Sequence, residues 1–545
     1  MESVEIVLAM LLAVAASGYL ARALPFSLPL PLAQIGLGAL ISGAFGHGVA
    51  LDPQLFFLLF LPPLLFLDGW RIPNDGLRRD RTMILSLALG LVLFTVVGAG
   101  FLIHALIPAM PLPVAFALAG IVSPTDPVAV SSIAARVPVP KRLMHLLHGE
   151  SLFNDASGLV CFRFAIAAAL TGEFSFTQAA LTFLWMAGGG VVAGVALTLA
   201  VSFAQREASR RFDEGSSSSI LVNLLVPFGA YMLAEQVHAS GILAAVAAGI
   251  TMSRVELSGR LRATTRVQRA AVWNTVQFTL NGIMFVLLGE QLPEISRSAV
   301  ISVREVGQRN PWWLLLYIIV INLALTLLRF LWVWASLRLT LFRRRQRGEL
   351  AKVPHWRLVV ATSLAGVRGA ITLAGVLTLP FLLPDGASFP ARGLTIFLAT
   401  AVILVSLIVA SFALPPLLKG LALPEGPSQE HENEERARKE AANAAITAVE
   451  AARREPLEPE LGGDAYTEAA RRVIDLYQRR LDIAAEPEEA GGQLRKIARA
   501  ERALRLEGMK AERDAVLTLA REQKISDATA RKLVREIDLL ETRYR

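Results

Sequence analysis

Ten ionisable residues stand in or at the ends of otherwise apolar runs: Asp68, Asp126, Glu150, Asp155, Arg163, Glu235, His238, Glu290, Arg329 and Arg368. An ionisable side chain at the centre of a bilayer costs about 2.5–3.5 kcal/mol on insertion scales, so each one asks for a reason. The densest group lies between His148 and Gly158, where Glu150 with Asn154, and Ser151 with Asp155, are i,i+4 pairs on adjoining strips of one helix. A carboxylate, a hydroxyl and nearby carbonyls are hard oxygen ligands suited to an alkali cation, and no Cys or His set has transition-metal spacing. A desolvated carboxylate also retains a proton more readily than one in water. Such a group holds a proton or a cation but not both well, and that competition is the chemistry of exchange. Asp155 is the expected exchanging carboxylate.

A second segment, Gly120 to Val130, reads GIVSPTDPVAV. Pro124 and Pro127 bracket Thr125 and Asp126, and neither proline can donate a backbone hydrogen bond, so an uninterrupted helix is not expected there. Opened backbone at membrane depth is tolerated where it is buried in protein or lines a wet cavity, and its carbonyls are cation ligands. A plain proline kink would leave Asp126 unexplained. Arg329 and Arg368 supply counter-charges, the latter within Ser363–Thr372, SLAGVRGAIT, a glycine-loosened run. Arg329 is expected to pair with Glu150, and Arg368 to stabilise a crossing of two broken helices. Snorkelling to the interface is the rival reading for both arginines, but each lies roughly ten or more residues from a span end. Glu235, His238 and Glu290 fall at span junctions or ends, where solvated charge is ordinary. Arg163 has no deducible partner, and Cys161 reads as a packing residue.

These residues need a scaffold, and composition names its class. The chain has 545 residues, 54% hydrophobic and 18% charged, with a mean hydropathy of +0.50, far from the balance of a soluble domain. Apolar runs of about 20 residues, the length that crosses about 30 Å of hydrocarbon, give about thirteen candidate spans. They begin near residues 4, 28, 52, 82, 112, 145, 177, 218, 239, 271, 311, 356 and 391. The first run follows acidic Glu2 and Glu5 and is expected as a span rather than a cleaved signal. Alternate loops hold the basic residues: Arg22, Arg71, Arg78, Arg79, Arg136, Arg206, Arg254, Arg343 and Lys352 lie on one side, and only Arg297, Arg304, Arg309 and Arg392 on the other. The positive-inside rule then gives an outside N-terminus and a cytoplasmic C-terminus. Spans four to six and eleven to thirteen are seven apart and run in opposite directions, which is an inverted repeat with the fifth and twelfth spans as interrupted partners.

After Pro424 the composition changes: Phe and Trp disappear, and more than half of the chain's 46 acidic residues lie beyond it. Residues 1–423 are therefore expected as a transmembrane domain and 424–545 as a charged, helical cytosolic region of three or four amphipathic helices, one of them behind Ser526 as N-cap. The pI near 9.9 reflects membrane topology, not a nucleic-acid footprint.

Three ordered segments, SPTDPVAV at 123–130, GESLFNDASGLV at 149–160 and SLAGVRGAITLA at 363–374, resemble the signatures of the bacterial sodium/proton antiporters of the cation:proton antiporter 1 family. The resemblance covers almost all of residues 1–420. It implies a thirteen-helix, all-α polytopic fold with inverted repeats and two crossing interrupted helices, and a homodimer with a dimerisation domain and a mobile six-helix core that moves like an elevator. It puts the ion-binding carboxylate on Asp155 and other ion-site positions on Asn154, Ser151, Thr125 and Asp126, with Na+ or another alkali cation held by Asp155, Ser151 and Thr125. Asn154 before Asp155 is similar to the electroneutral members, which exchange one cation for one proton. Where relatives often carry Phe-Glu in the third span, this chain has Leu67-Asp68, a shorter side chain that would reach the ion through water.

The expected protein is thus a multi-pass inner-membrane transporter of a monovalent cation and H+, with no cofactor, no nucleic-acid partner and no enzymatic role. Potassium in place of sodium is the alternative within the same fold. An intramembrane aspartyl protease with Asp126 and Asp155 as its dyad is the alternative from another class, but Asp126 is locked between prolines and Arg329 and Arg368 would have no part in it. A passive channel would conduct without proton coupling.

Overall fold

A computed structural model describes residues 2–23, 29–45, 53–72, 81–127, 130–131, 141–172, 176–211, 216–256, 263–305, 312–346, 355–419, 429–454, 463–485, 488–522, 524 and 527–544. It divides into two compact units, Met1–Leu423 and Pro424–Arg545. The first holds α1 (Glu2–Ala23), α2 (Leu30–Phe45), α3 (Pro53–Arg71) and α4, in which Arg81–Leu85, a π-helical turn Ser86–Leu91 and Val92–Leu106 run together. It continues with α5 (Leu112–Val122), α6 (Lys141–Thr171), α7 (Phe176–Arg211), α8 (Ser216–Gln236), α9 (Gly241–Glu256), α10 (Ala263–Glu305) and α11 (Trp312–Gln346). The short α12 (Trp356–Leu364) and α13 (Ala370–Leu377) precede α14 (Arg392–Leu418). The second unit holds α15 (Gln429–Arg454), α16 (Gly463–Ala485), α17 (Glu488–Arg521) and α18 (Asp527–Tyr544).

The fold is all-helical, and among the described residues eight helices are long and apolar enough to cross a membrane. Leu30–Ala44 and Leu112–Val122 are shorter apolar helices. Local chemistry sets several boundaries. Pro29 closes the first turn of α2, its carbonyl accepting from the Leu32 amide at 3.1 Å. Proline in the first turn starts α5, where a missing N–H costs nothing. The turn between α8 and α9 runs through His238 in the left-handed region at φ 53°. The basic residues Arg78, Arg79, Arg136, Arg309 and Lys352 and the proposed cap Ser526 lie outside the described residues.

Burial follows a lipid solvent. Leu12, Phe203 and Phe412 are 70% or more exposed, whereas Phe66, Leu118, Phe162 and Val367 are fully buried inside the helix array. Because hydrocarbon does not drive helices together as water does, close approach must come from packing small residues. Gly289 of α10 lies against the backbone of Ile35 in α2, so that a Cβ added there would stand 2.9 Å from the Ile35 Cα. Gly249 of α9 meets Phe66 of α3 in the same way, 2.9 Å from its carbonyl carbon. These contacts seat α10 on α2 and α3 on α9, and α3 and α10 both line the site described next.

Candidate ion-binding site

The prolines act as their chemistry requires. α5 stops at Val122, residues 124–126 are non-helical, and helix resumes at Pro127. The second break falls between α12 and α13, where residues 366–369 are non-helical and Gly369 is extended at the N-terminal cap of α13. The two breaks touch. The Asp126 amide donates to the Val367 carbonyl at 2.7 Å, and the Arg368 Nε donates to the Val122 carbonyl at 2.9 Å. Gly369 is required here, because a Cβ would land on the Asp126 side chain, 2.5 Å from its Cγ.

Four half-helix ends converge at such a crossing, and their partial charges need neutralising: positive at N-termini and negative at C-termini. Arg368, buried at 5% exposure, covers the carbonyl ends, bonding Val122 and also the Gly366 carbonyl at 2.5 Å, while its own amide donates to Ser406 Oγ at 3.1 Å. Asp126 brings its carboxylate to the N-terminus of α13, against Gly369. The opposite charges therefore sit on opposite helix ends.

α6 carries the remaining polar groups on one face, and all of them are buried: Glu150, Ser151, Asn154 and Asp155. Arg329 of α11 grips Glu150 with both guanidinium prongs, Nη1 to Oε1 and Nη2 to Oε2, the latter at 2.8 Å, and its Nε donates to the Thr362 carbonyl at 3.1 Å. Thr125 Oγ1 donates to Glu150 Oε1 at 3.2 Å and accepts from Asn154 Nδ2 at 2.9 Å. With its proton given to Glu150 and one lone pair taken by Asn154, the Thr125 hydroxyl keeps one lone pair for a further partner. The ion pair and the opened backbone are thus one network.

Asp68, Thr125, Asp126, Ser151 and Asp155 line a single narrow cavity of about 40 Å³ with Gln277, Asn281 and Thr372, room for an alkali cation with roughly one or two waters. Asp68 reaches this cavity from α3 despite its short side chain. Glu150, Asn154, Arg329 and Arg368 stand behind the lining and hold it. Gln277 and Asn281, an i,i+4 pair on α10, are lining residues that sequence reasoning missed. Arg163 lies 4.0 Å from Glu235, both at the surface.

The family model described as "Sodium/hydrogen exchanger, transmembrane" matches residues 8–420. The chain belongs to the sodium/hydrogen exchanger family. A relative in Escherichia coli strain K12, named an uncharacterised Na+/H+ exchanger, is 40% identical over 548 residues, covering 99% of this chain and 98% of that one. Another in Bacillus pumilus, named a sodium, potassium, lithium and rubidium/H+ antiporter, is 40% identical over 553 residues, covering 100% of this chain and 78% of its own length. Among solved structures, the sodium proton antiporter MjNhaP1 of Methanocaldococcus jannaschii matches with a TM-score of 0.56 at 18% identity, over 77% of this chain and 99% of that one, a likeness of fold. This exchanger is accordingly a multi-pass membrane protein of a family of cation/proton antiporters, and the relatives named here are an exchanger and antiporters.

Proposed function

We propose that the protein exchanges a monovalent cation, Na+ first and Li+ or K+ with it, for H+ at a 1:1 ratio, by competition of the two for Asp155. The observation that carries this reading is the convergence of Asp155, Asp126, Asp68, Ser151 and Thr125 on one small cavity at the meeting of two broken helices. Charge bookkeeping supports one exchangeable charge. Glu150 is committed to Arg329, and Asp126 lies against the N-terminus of α13; of the two remaining acids, Asp68 and Asp155, the exchange is assigned to Asp155, which has Ser151 on the same face of α6 and Asn154 rather than a second acid beside it. Ser151 and Thr125 supply neutral oxygens to the cation, and Asp68 contributes through water.

The cavity lies between α3 and α10 on one side and the break after α5, α6 and the start of α13 on the other. That division fits an elevator in which a core of α4–α6 and α11–α14 carries the ion past a static wall, the two breaks travelling as one body because Arg368 ties them. Each half of the inverted-repeat, thirteen-span fold gives three spans to the core and the rest to the wall, and the protein works as a homodimer in the inner membrane, N-terminus outside and C-terminus cytoplasmic. Such an exchanger serves pH homeostasis. Selectivity is a matter of cavity size and flexibility rather than ligand type, and the wide cation range in the name of the Bacillus pumilus relative favours including K+.

The test is the purified chain in liposomes with an internal pH dye, to which sodium, lithium or potassium is added in turn against a proton gradient. Sodium should dissipate the gradient, an imposed membrane potential should not change the rate, and Asp155→Ala should abolish the response. If no cation dissipates the gradient, or if Asp155→Ala retains the response, the reading is wrong.

A further inference from the structure

The ion cavity has a neighbour that the exchange reading does not use. Near the basic end of α3, a larger open cavity of about 630 Å³ is lined by Trp70, Arg71, Ser253, Glu256, Arg266 and Asn274. The two cavities share no lining residue, but one side chain joins their walls. Arg71 donates from Nη1 to Gln277 Oε1 at 2.6 Å and from Nη2 to Asn274 Oδ1 at 2.5 Å. Gln277 lines the ion cavity, and Asn274 and Arg71 line the open one. Arg71 is also one helical turn beyond Asp68, which lines the ion cavity. A planar, permanently charged fork therefore spans α3 and α10 where the two spaces meet.

The surroundings concentrate the effect of that charge. Glu256, the acid lining the open cavity, is already engaged: its Oε1 accepts from Arg269 at 2.5 Å and its Oε2 from Trp70 Nε1 at 2.7 Å. Arg269 is buried at 2% exposure, so this pair is a fixed part of the wall. The wall is held further by Trp273, fully buried and donating to Asn223 Oδ1 at 2.8 Å. Arg71 thus stands on the wall between the open cavity and the one that Asp68 and Asp155 line.

We infer that the open cavity is the entry vestibule for the cation and that Arg71, latched to Asn274 and Gln277, is its electrostatic gate. Arg71 is a positioning residue and not a ligand. Swinging the guanidinium off the two amides opens the path and withdraws a repelling charge, while the latched state closes the ion cavity to the vestibule. The inference rests on the exchange reading for its kinetic consequence and on geometry alone for its accessibility consequence, and the two can be read separately.

The experiment uses the full chain in liposomes. The chain has a single cysteine, Cys161, so a Cys161→Ser background carrying Asn281→Cys reports access to the ion cavity by its labelling rate with a hydrophilic thiol reagent. Arg71→Gln should raise that labelling rate several-fold. In the exchange assay without the cysteine probe, it should lower the half-saturating sodium concentration about fivefold, the factor for removing one unit charge across a wet gap, with a smaller change in maximal rate. Arg71→Lys, which keeps the charge and loses the fork, should raise labelling but leave half-saturation near wild type. Asn274→Leu, which breaks one arm only, should behave as Arg71→Lys and serves if Arg71→Gln does not fold. Labelling and half-saturation that stay at wild-type values, or a uniform fall in maximal rate and yield with half-saturation constant, would overturn the gate and assign Arg71 a structural role. Normal labelling in the Cys161→Ser, Asn281→Cys background, with wild-type vesicles that exchange nothing, would instead overturn the exchange reading.

Discussion

Arg329→Met is the perturbation whose cost the geometry fixes best. It removes both prongs on Glu150 and the bond to the Thr362 carbonyl, and it leaves a carboxylate that is 1% exposed with the Thr125 hydroxyl at 3.2 Å. Breaking a buried pair from one side costs about 3–5 kcal/mol, because the surviving charge is left without compensation. Glu150→Gln strands the guanidinium in the same way, though the Thr362 carbonyl still accepts from it, so its cost should fall at the lower end of that range. The double variant Glu150→Gln/Arg329→Met strands neither charge. Gln keeps an oxygen for Thr125, and Met fills most of the arginine stem's volume, so the pair should cost no more than about 1–2 kcal/mol. The coupling energy is then several kcal/mol, well beyond the few tenths expected of independent sites. Denaturation in mixed micelles, followed by intrinsic tryptophan fluorescence, measures all four corners of the cycle. If the two single losses simply add in the double variant, Glu150 and Arg329 do not act as a buried pair, and the argument that Glu150 is unavailable for exchange falls with it.

Asp155→Asn should leave the denaturation profile close to wild type and reduce exchange in liposomes to the level of empty vesicles; a variant that still exchanges would move the competing carboxylate to Asp126 or Asp68. Gly369→Ala places a Cβ 2.5 Å from the Asp126 Cγ, so it should lower stability by about 1–3 kcal/mol and exchange rate with it, whereas Gly386→Ala, strained by a φ of 83° in an open turn but with no neighbour within 4 Å, should leave exchange untouched. In the charged unit, hydrogen bonds from Arg472 and Arg471 hold the Glu468 carboxyl below its usual range. A lowered carboxylate contributes stability that is present above its ordinary value of 4.5 and lost as pH falls through the lower one. Hydrogen exchange across α16 should therefore be flat from pH 8 to pH 5, in rates corrected for intrinsic chemistry, and loosen only under stronger acid.

The parts of the site legible in the sequence were those whose chemistry conflicts with a bilayer. Asp126 between two prolines, Glu150 and Asp155 one face apart, and Arg329 and Arg368 deep in apolar runs each carry a cost that a lipid-facing position would not repay, so their types alone assign them inward. The pairing of Arg329 with Glu150 was legible for the same reason, since each charge needs the other. What could not be read was a neutral residue whose role comes from position. Gln277 and Asn281 have the same i,i+4 spacing as Glu150 and Asn154, but a neutral amide in a span costs far less than a charge and asks for no counter-charge. Their role depends on which face α10 turns to the cavity, and that is set elsewhere, by Gly289 lying on Ile35 of α2. Arg368 shows the same limit from the other side. Its charge announced a partner, yet the partners are the carbonyls of Val122 and Gly366, groups that every residue owns and that become acceptors only where two helices break together. The sequence pattern thus exposes groups that are expensive to bury, whereas cheap groups acquire meaning only from packing. Gln277 and Asn281 are therefore found only by following α10 to the cavity they line.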